Sequence, residues 1–265
     1  SAASDVYKRQ IFYYFLLFGV FVFVGQEEMQ LFIPEWWYIR EFLFQPGGFC
    51  AVAGQWIIQY YRQPMSAVVF HTVLLVGCGF MVYRILRCFS DKTYLLFLSL
   101  LPVLYLVKMS IHGEYLVDGT VGVVLMLLAL SVSLKVRRAG SIAGYGIAST
   151  LFLCGLTGLL SVCYAFLYTL LALLRYKTSR QRLAAAACLI PALFIYLFSG
   201  WLGIPVPLSD GWMPEAYLEI QRLPHYYMYR VWTFFTLSIV GVALFARFVP
   251  VIGEKSKWMD RVALV

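Results

Sequence analysis

The chain has 265 residues, of which 62% are hydrophobic and only 13% charged; its mean hydropathy is +0.80. That is too little charge to coat a soluble globule of this size, so the composition excludes an ordinary water-soluble domain and predicts a protein whose main partner is the lipid bilayer. The net charge of +8 does not call for nucleic acid, because the basic residues fall in short clusters between apolar runs, as cytoplasmic membrane loops are charged.

In chain order, Asp5-Val6-Tyr7-Lys8-Arg9-Gln10 resembles one translated frame of a transposon adapter used in sequencing libraries. Residues 1–10 are therefore set aside from fold reasoning, and the native chain is expected to begin and end beyond what is seen. Residues 11–250 read as one transmembrane domain and 251–265 as a cytoplasmic tail cut short. Ile11 to Gly25 is the first apolar run. Ser66 to Tyr83 and Tyr94 to Ser110 follow, with Pro102 expected to kink the latter. Leu116 to Leu134 is the fourth run. Ser141 to Leu174 is too long for one span and short for two ordinary ones, which predicts a tight pair split near Cys154-Gly155-Leu156-Thr157-Gly158. Leu183 to Leu202, with Pro191 inside, and Val231 to Val249 complete the set. The fold class expected is all-α, a polytopic membrane helix bundle of about eight transmembrane helices.

The basic clusters at 84–92, 135–138 and 175–182 and the tail with Arg247, Lys255 and Lys257 alternate with these runs so that all fall on one side, predicted to be cytoplasmic. The loops 26–65 and 205–229 then face outward and carry most of the acids. Within the first loop, Phe49, Val52, Ala53, Trp56, Ile57 and Tyr60 recur at helical spacing, opposite Gln55, Gln59, Arg62 and Gln63. This predicts a helix lying in the membrane interface, with a second over Pro34 to Phe44 and a turn at Pro46-Gly47-Gly48. The six cysteines have no C-x-x-C or zinc-type spacing, so no metal site is predicted from them.

Candidate chemistry gathers on the outer face. Glu27 and Glu28 stand at the end of the first helix, where a carboxylate can act as a general base or merely mark where a span meets water. Neighbouring positions point in different directions, so at most one of the two is the working group. Lys108, His112, Glu114 and Asp118 bracket the junction of the third and fourth runs, and Arg62 closes the first loop. Of these substrate-binding candidates, Arg62, Lys108 and His112 can meet a lipid phosphate, and Glu114 and Asp118, four apart, share a face if the fourth helix begins early. Equally, Lys108 can snorkel and Asp118 can stabilise a first helical turn. His71 is the one histidine at membrane depth, and a neutral imidazole bonded to a neighbouring helix accounts for it. A divalent metal ion is compatible with the acids, and nothing in the sequence requires one.

The run Gln26-Glu27-Glu28-Met29-Gln30-Leu31-Phe32, the Pro46-Gly47-Gly48 turn and the Gln59-Tyr60-Tyr61-x-x-Pro64 ending resemble the first loop of an uncharacterised family of bacterial multi-pass membrane proteins, known mainly from Bacteroidales. The layout is in turn similar to the type C glycosyltransferases, in which a first-loop acid is the catalytic base and a polyprenyl phosphate carries the sugar. The resemblance implies a glycosyltransferase-like enzyme of the bacterial cytoplasmic (inner) membrane, using a polyprenyl-phosphate-linked donor, with Glu27 or Glu28 as base. The alternative from another class is a non-catalytic membrane subunit. A transporter fragment fits less well, since no repeat is visible and His71 is the lone candidate at depth.

Overall fold

The computed structural model describes residues 2–29, 32–90, 94–111, 117–158, 160–198 and 235–245, and every regular element among them is helical. The first apolar run forms α1 (Ala2–Phe18) and α2 (Val20–Met29), which bend by 68° at Gly19. In the first loop, α3 (Trp36–Leu43) and α4 (Gly48–Ile58) are followed by a 3-10 turn, Gln59–Arg62. The long helix α5 (Pro64–Leu86) starts on a proline, whose missing N–H falls among the donors that a helix start leaves unused.

The next run divides into α6 (Leu95–Leu98) and α7 (Leu100–Met109). Pro102 cannot donate to the Leu98 carbonyl, so it sits in the first turn of a new helix and the run breaks at Ser99 instead of kinking mid-helix. The same chemistry separates α11 (Ser179–Ala186) from α12 (Leu189–Leu197), where Pro191 again falls in the first turn. Between them lie α8 (Val117–Ser133), α9 (Ala139–Thr157) and α10 (Leu160–Arg175), the last two forming the expected tight pair around Gly158. The final described helix is α13 (Phe235–Phe245).

At the centre is α8, packed on α4, α5, α9 and α10, with Asp118, Gly119, Thr120, Gly122, Ser131 and Ser133 among its buried residues. Small side chains let neighbouring backbones close in, and the hydroxyls bond within the bundle: Ser133 Oγ meets Tyr164 Oη at 2.6 Å. The three basic loops meet at one end. There Arg175 Nη1 donates to the Cys88 carbonyl at 3.5 Å, Tyr176 Oη to Val136 at 2.7 Å and Gln181 Nε2 to Arg137 at 2.7 Å. At the other end Gly47 N–H donates to the Gly155 carbonyl at 3.1 Å, joining the first loop to the α9–α10 tip.

Among the described residues three helical stretches are long and apolar enough to cross a membrane: Pro64–Leu86, Ala139–Thr157 and Ser179–Leu197, which takes α11 and α12 together. Counting the bent α1–α2 pair as one span makes four, and the other apolar helices are shorter. Length and apolarity thus support three or four crossings where the apolar runs predict about eight. The loop at 205–229 and the tail at 251–265 lie outside the described residues.

The first loop is all helix and turn, as expected, but its two helices differ. No residue of α3 is buried, in keeping with a helix at a surface. Phe49 and Trp56 of α4 and Tyr60 of the 3-10 turn are exposed as the spacing predicts, yet Ile57 of that same expected face is buried, as are Cys50, Ala51, Gly54 and Ile58, where α4 packs into α8 and α9. This second helix is therefore wedged into the bundle on one flank and lies at the surface on the other. Tyr38 Oη donates to Gln55 Oε1 at 3.1 Å, which ties α3 to α4. The turn between them needs its glycines: Gly47 has φ 84°, and a Cβ on Gly48 would strike the Phe42 carbonyl.

Candidate functional site at the acid-bearing end

The bend at Gly19 turns α2 across the bundle so that it packs on the 3-10 turn and α5. Phe23 then lies flat on His71 of α5, with ring centroids 4.2 Å apart and planes 10° apart. Tyr61 Oη is 2.7 Å from His71 Nε2, and Phe15 closes the box at 5.5 Å from the imidazole. All four side chains are fully buried. The other ring nitrogen, His71 Nδ1, has no hydrogen-bond partner among the described residues. Burial, and then the charge of Asp118, pushes the Tyr61 phenol up from its ordinary range, so its proton stays on and is available to bond the imidazole.

Glu27 is one helical turn beyond Phe23 on α2 and half-buried, so it shares the face that lies over the turn. Arg62 follows Tyr61 directly and is exposed. The fold thus brings the α2 acid and the loop cation to neighbouring elements, although they form no ion pair: the only ion pair among the described residues is Lys8–Asp5, at 3.1 Å. Glu28 is in the last turn of α2, and its side chain lies outside the described residues, as do His112 and Glu114.

Asp118 is not at a surface. It is 3% exposed, and a Cβ on Gly54 would lie 2.5 Å from its own Cβ, which fixes the crossing of α4 on α8. Its Oδ1 accepts from the Gly119 N–H at 2.6 Å, and its charge reaches Tyr61 and Cys50. Asp118 is therefore a core group that acts on Tyr61, which in turn bonds His71, whereas Lys108 is at a surface. Lys108 is exposed and lines a cleft between α1 and α7. The sequence offered a hint of the buried trio in the lone membrane-depth histidine. Its partner Tyr61 was illegible, because Pro64 separates the two and no helical spacing links them. Among the described residues, no group of three or more His, Cys, Asp or Glu side chains is placed to hold a metal ion.

With this geometry in hand, the sequence matches the profile of a family of unknown function, DUF6057, over residues 9–262. The chain belongs to the DUF6057 family. The match takes in every described element from the α1 apolar segment to α13, so the α2 acid, the first loop and the buried trio all lie in the part of the chain that defines DUF6057. No curated protein and no solved structure matches the chain.

Proposed function

We propose that this DUF6057 protein is a multi-pass protein of the bacterial cytoplasmic membrane, crossing about eight times, that transfers a sugar or related group from a polyprenyl-phosphate-linked donor. The observation that carries this reading is the setting of Glu27: half-buried on a helix that packs on the 3-10 turn ending at Arg62, in a chain whose first loop exposes Trp36, Trp37, Phe44, Trp56 and Tyr60. Such aromatics suit the headgroup layer, and an acid and a cation on neighbouring elements there suit a substrate with a phosphate at the surface and a tail in the bilayer. In the reaction, Glu27 takes the proton of the acceptor hydroxyl as its oxygen attacks the sugar carbon. The bond from that carbon to the phosphate oxygen breaks, the electron pair leaves with the lipid phosphate, and Arg62 and Lys108 stabilise the charge left there. Glu28 is the second candidate for the base by position. In the same reading His112 is a further cation for the lipid phosphate, and Glu114 and Asp118 are further substrate-binding groups; His112 and Glu114 lie outside the described residues.

The test is the full-length gene carrying Glu27→Gln or Glu28→Gln, compared with a deletion strain by mass spectrometry of envelope glycans and polyprenyl-linked intermediates. Deletion is expected to change both profiles and Glu27→Gln to leave them changed. Unaltered profiles on deletion would end the transferase reading, while full rescue by both variants would remove the assigned base. One observation favours a second reading, a transporter: α1–α2 is broken beside a buried histidine, and broken helices at depth commonly frame substrate sites. Uptake or efflux dependent on His71, with glycans unchanged, would select it.

A further inference from the structure

The loops at 135–138 and 175–182 concentrate positive charge that no acid within them balances. The first holds Lys135, Arg137 and Arg138, the second Arg175, Lys177, Arg180 and Arg182, and no Asp or Glu occurs in the sequence between Asp118 and Asp210. None of these cations is in an ion pair among the described residues. Setting the orientation of a membrane protein asks only that such cations lie in loops; it does not ask that the loops be fastened together. These two are. Tyr176 Oη donates to the Val136 carbonyl at 2.7 Å and Gln181 Nε2 to the Arg137 carbonyl at 2.7 Å, so like-charged loops are held side by side against their repulsion. Arg182 is fixed as well. Half-buried, it donates from Nε to the Tyr176 carbonyl at 2.8 Å, and its two terminal nitrogens have no partner among the described residues. A planar guanidinium anchored by Nε is set for a bidentate contact to phosphate, and the exposed Arg137, Arg138, Lys177 and Arg180 stand on the same two loops.

The apolar surface directly beyond these cations makes the fitting ligand an amphiphile. Arg180 is in the first turn of α11, and Leu183, one turn on, is 76% exposed. Ile190, Leu193 and Leu197 carry exposed apolar surface on along α12, within the stretch Ser179–Leu197 that is long and apolar enough to cross a membrane. Cations at the head of such a helix meet phosphate at headgroup depth, while the flank below them lies against acyl chains. We infer that the loops at 135–138 and 175–182 hold the phosphate of an anionic phospholipid, with Arg182 as its bidentate anchor and its acyl chains along α11 and α12. The site is at the end of the bundle away from Glu27 and takes no part in the proposed transfer.

The test is native mass spectrometry of the full-length chain in detergent, titrated with dioleoylphosphatidylglycerol, with dioleoylphosphatidylcholine and with inorganic phosphate alone. Phosphatidylglycerol is expected to bind about tenfold more tightly than phosphatidylcholine, and Arg182→Gln to remove that preference. The double variant Arg137→Gln with Lys177→Gln takes away two exposed charges and is expected to weaken phosphatidylglycerol about tenfold. Neither of its side chains is buried, so it keeps the test sound should Arg182→Gln fail to fold. The matched control, Arg84→Gln with Arg87→Gln, removes the same charge from the end of α5, where both guanidinium groups lie over rings of their own helix. It is expected to leave the affinity within about twofold of the parent. Equal binding of the two phospholipids, or a loss in the control as large as in the Arg137 and Lys177 variant, overturns the site. Displacement of phosphatidylglycerol by inorganic phosphate at equal concentration overturns the lipid assignment.

Discussion

The Tyr61–His71 pair is the clearest case in which one side chain holds several elements in place. The phenol and imidazole, 2.7 Å apart, tie the 3-10 turn to α5, and Phe23 stacked on the ring brings in α2. A buried polar group stripped of its partner costs more than the bond itself contributes. Tyr61→Phe is therefore expected to destabilise the fold by about 1–3 kcal/mol, read by thermal unfolding in detergent. Tyr61→Phe with His71→Leu should recover most of that loss, because neither polar group is then left in the core. A double variant as unstable as the sum of two singles would show that the bond is not the coupling. Cys50 offers a second residue-scale test. Burial, and then the Asp118 charge, pushes its thiol up from 9 to about 12, and its side chain is 6% exposed. At neutral pH it is a protonated, enclosed thiol, so a maleimide is expected to react with it only after unfolding. The linkage has the matching sign: the folded state holds this proton more tightly than the unfolded one, so the stabilisation is complete below pH 9 and is lost as pH rises through 9 to 12.

Between elements, the α4–α8 crossing shows what apolar runs and periodicity can reveal and what they cannot. The outward aromatics of α4 and the Pro46-Gly47-Gly48 turn were legible, since each depends on local spacing or local backbone. The burial of the opposite flank was not, because Cys50, Ala51 and Gly54 look like a weak face until α8 presents Asp118 and Gly122 to it. A Cβ at Gly54 would lie 2.9 Å from the Asp118 Cα as well as 2.5 Å from its Cβ, and both partners are helical backbone that cannot step aside locally. Gly54→Ala is expected to cost about 1–3 kcal/mol by forcing the helices apart. Gly144→Ala, on the exposed side of α9 with nothing within 4 Å of the new Cβ, should instead stabilise by up to about 1 kcal/mol through helix propensity. Both changes are read by the same unfolding midpoint, and a Gly54 variant as stable as its parent would mean that the crossing is looser than drawn. The candidate site follows the same division. Glu27 and Arg62 were findable as charges at the ends of apolar runs, whereas the removal of Asp118 from the surface depends on the glycine opposite it.

Across the whole molecule, the charge pattern and the hydrogen bonds agree on which loops belong together. Arg175 reaches the 84–92 loop, and Tyr176 and Gln181 reach the 135–138 loop, so three clusters separated by long stretches of sequence converge on one end. The Gly47–Gly155 bond and the Gly54–Asp118 crossing gather the first loop and the α9 tip at the other. A bundle with basic residues concentrated at one end inserts with that end toward the cytoplasm, because moving clustered Lys and Arg across the bilayer is unfavourable. The acid-bearing end, with Glu27 and Arg62, is then expected to face outward. Native thiols are poor reporters of this arrangement, given the enclosure of Cys50, so the test uses a cysteine-free chain with single cysteines at exposed positions. Glu35→Cys, just before α3, should react with an impermeant maleimide in intact cells. Lys177→Cys, between α10 and α11, should react only after the membrane is opened. Both side chains are exposed, so failure to react cannot be put down to burial. Reaction of Lys177→Cys in intact cells, with Glu35→Cys protected, would invert the molecule and place the Glu27 end inside, where a transferase working on the outer face could not use it.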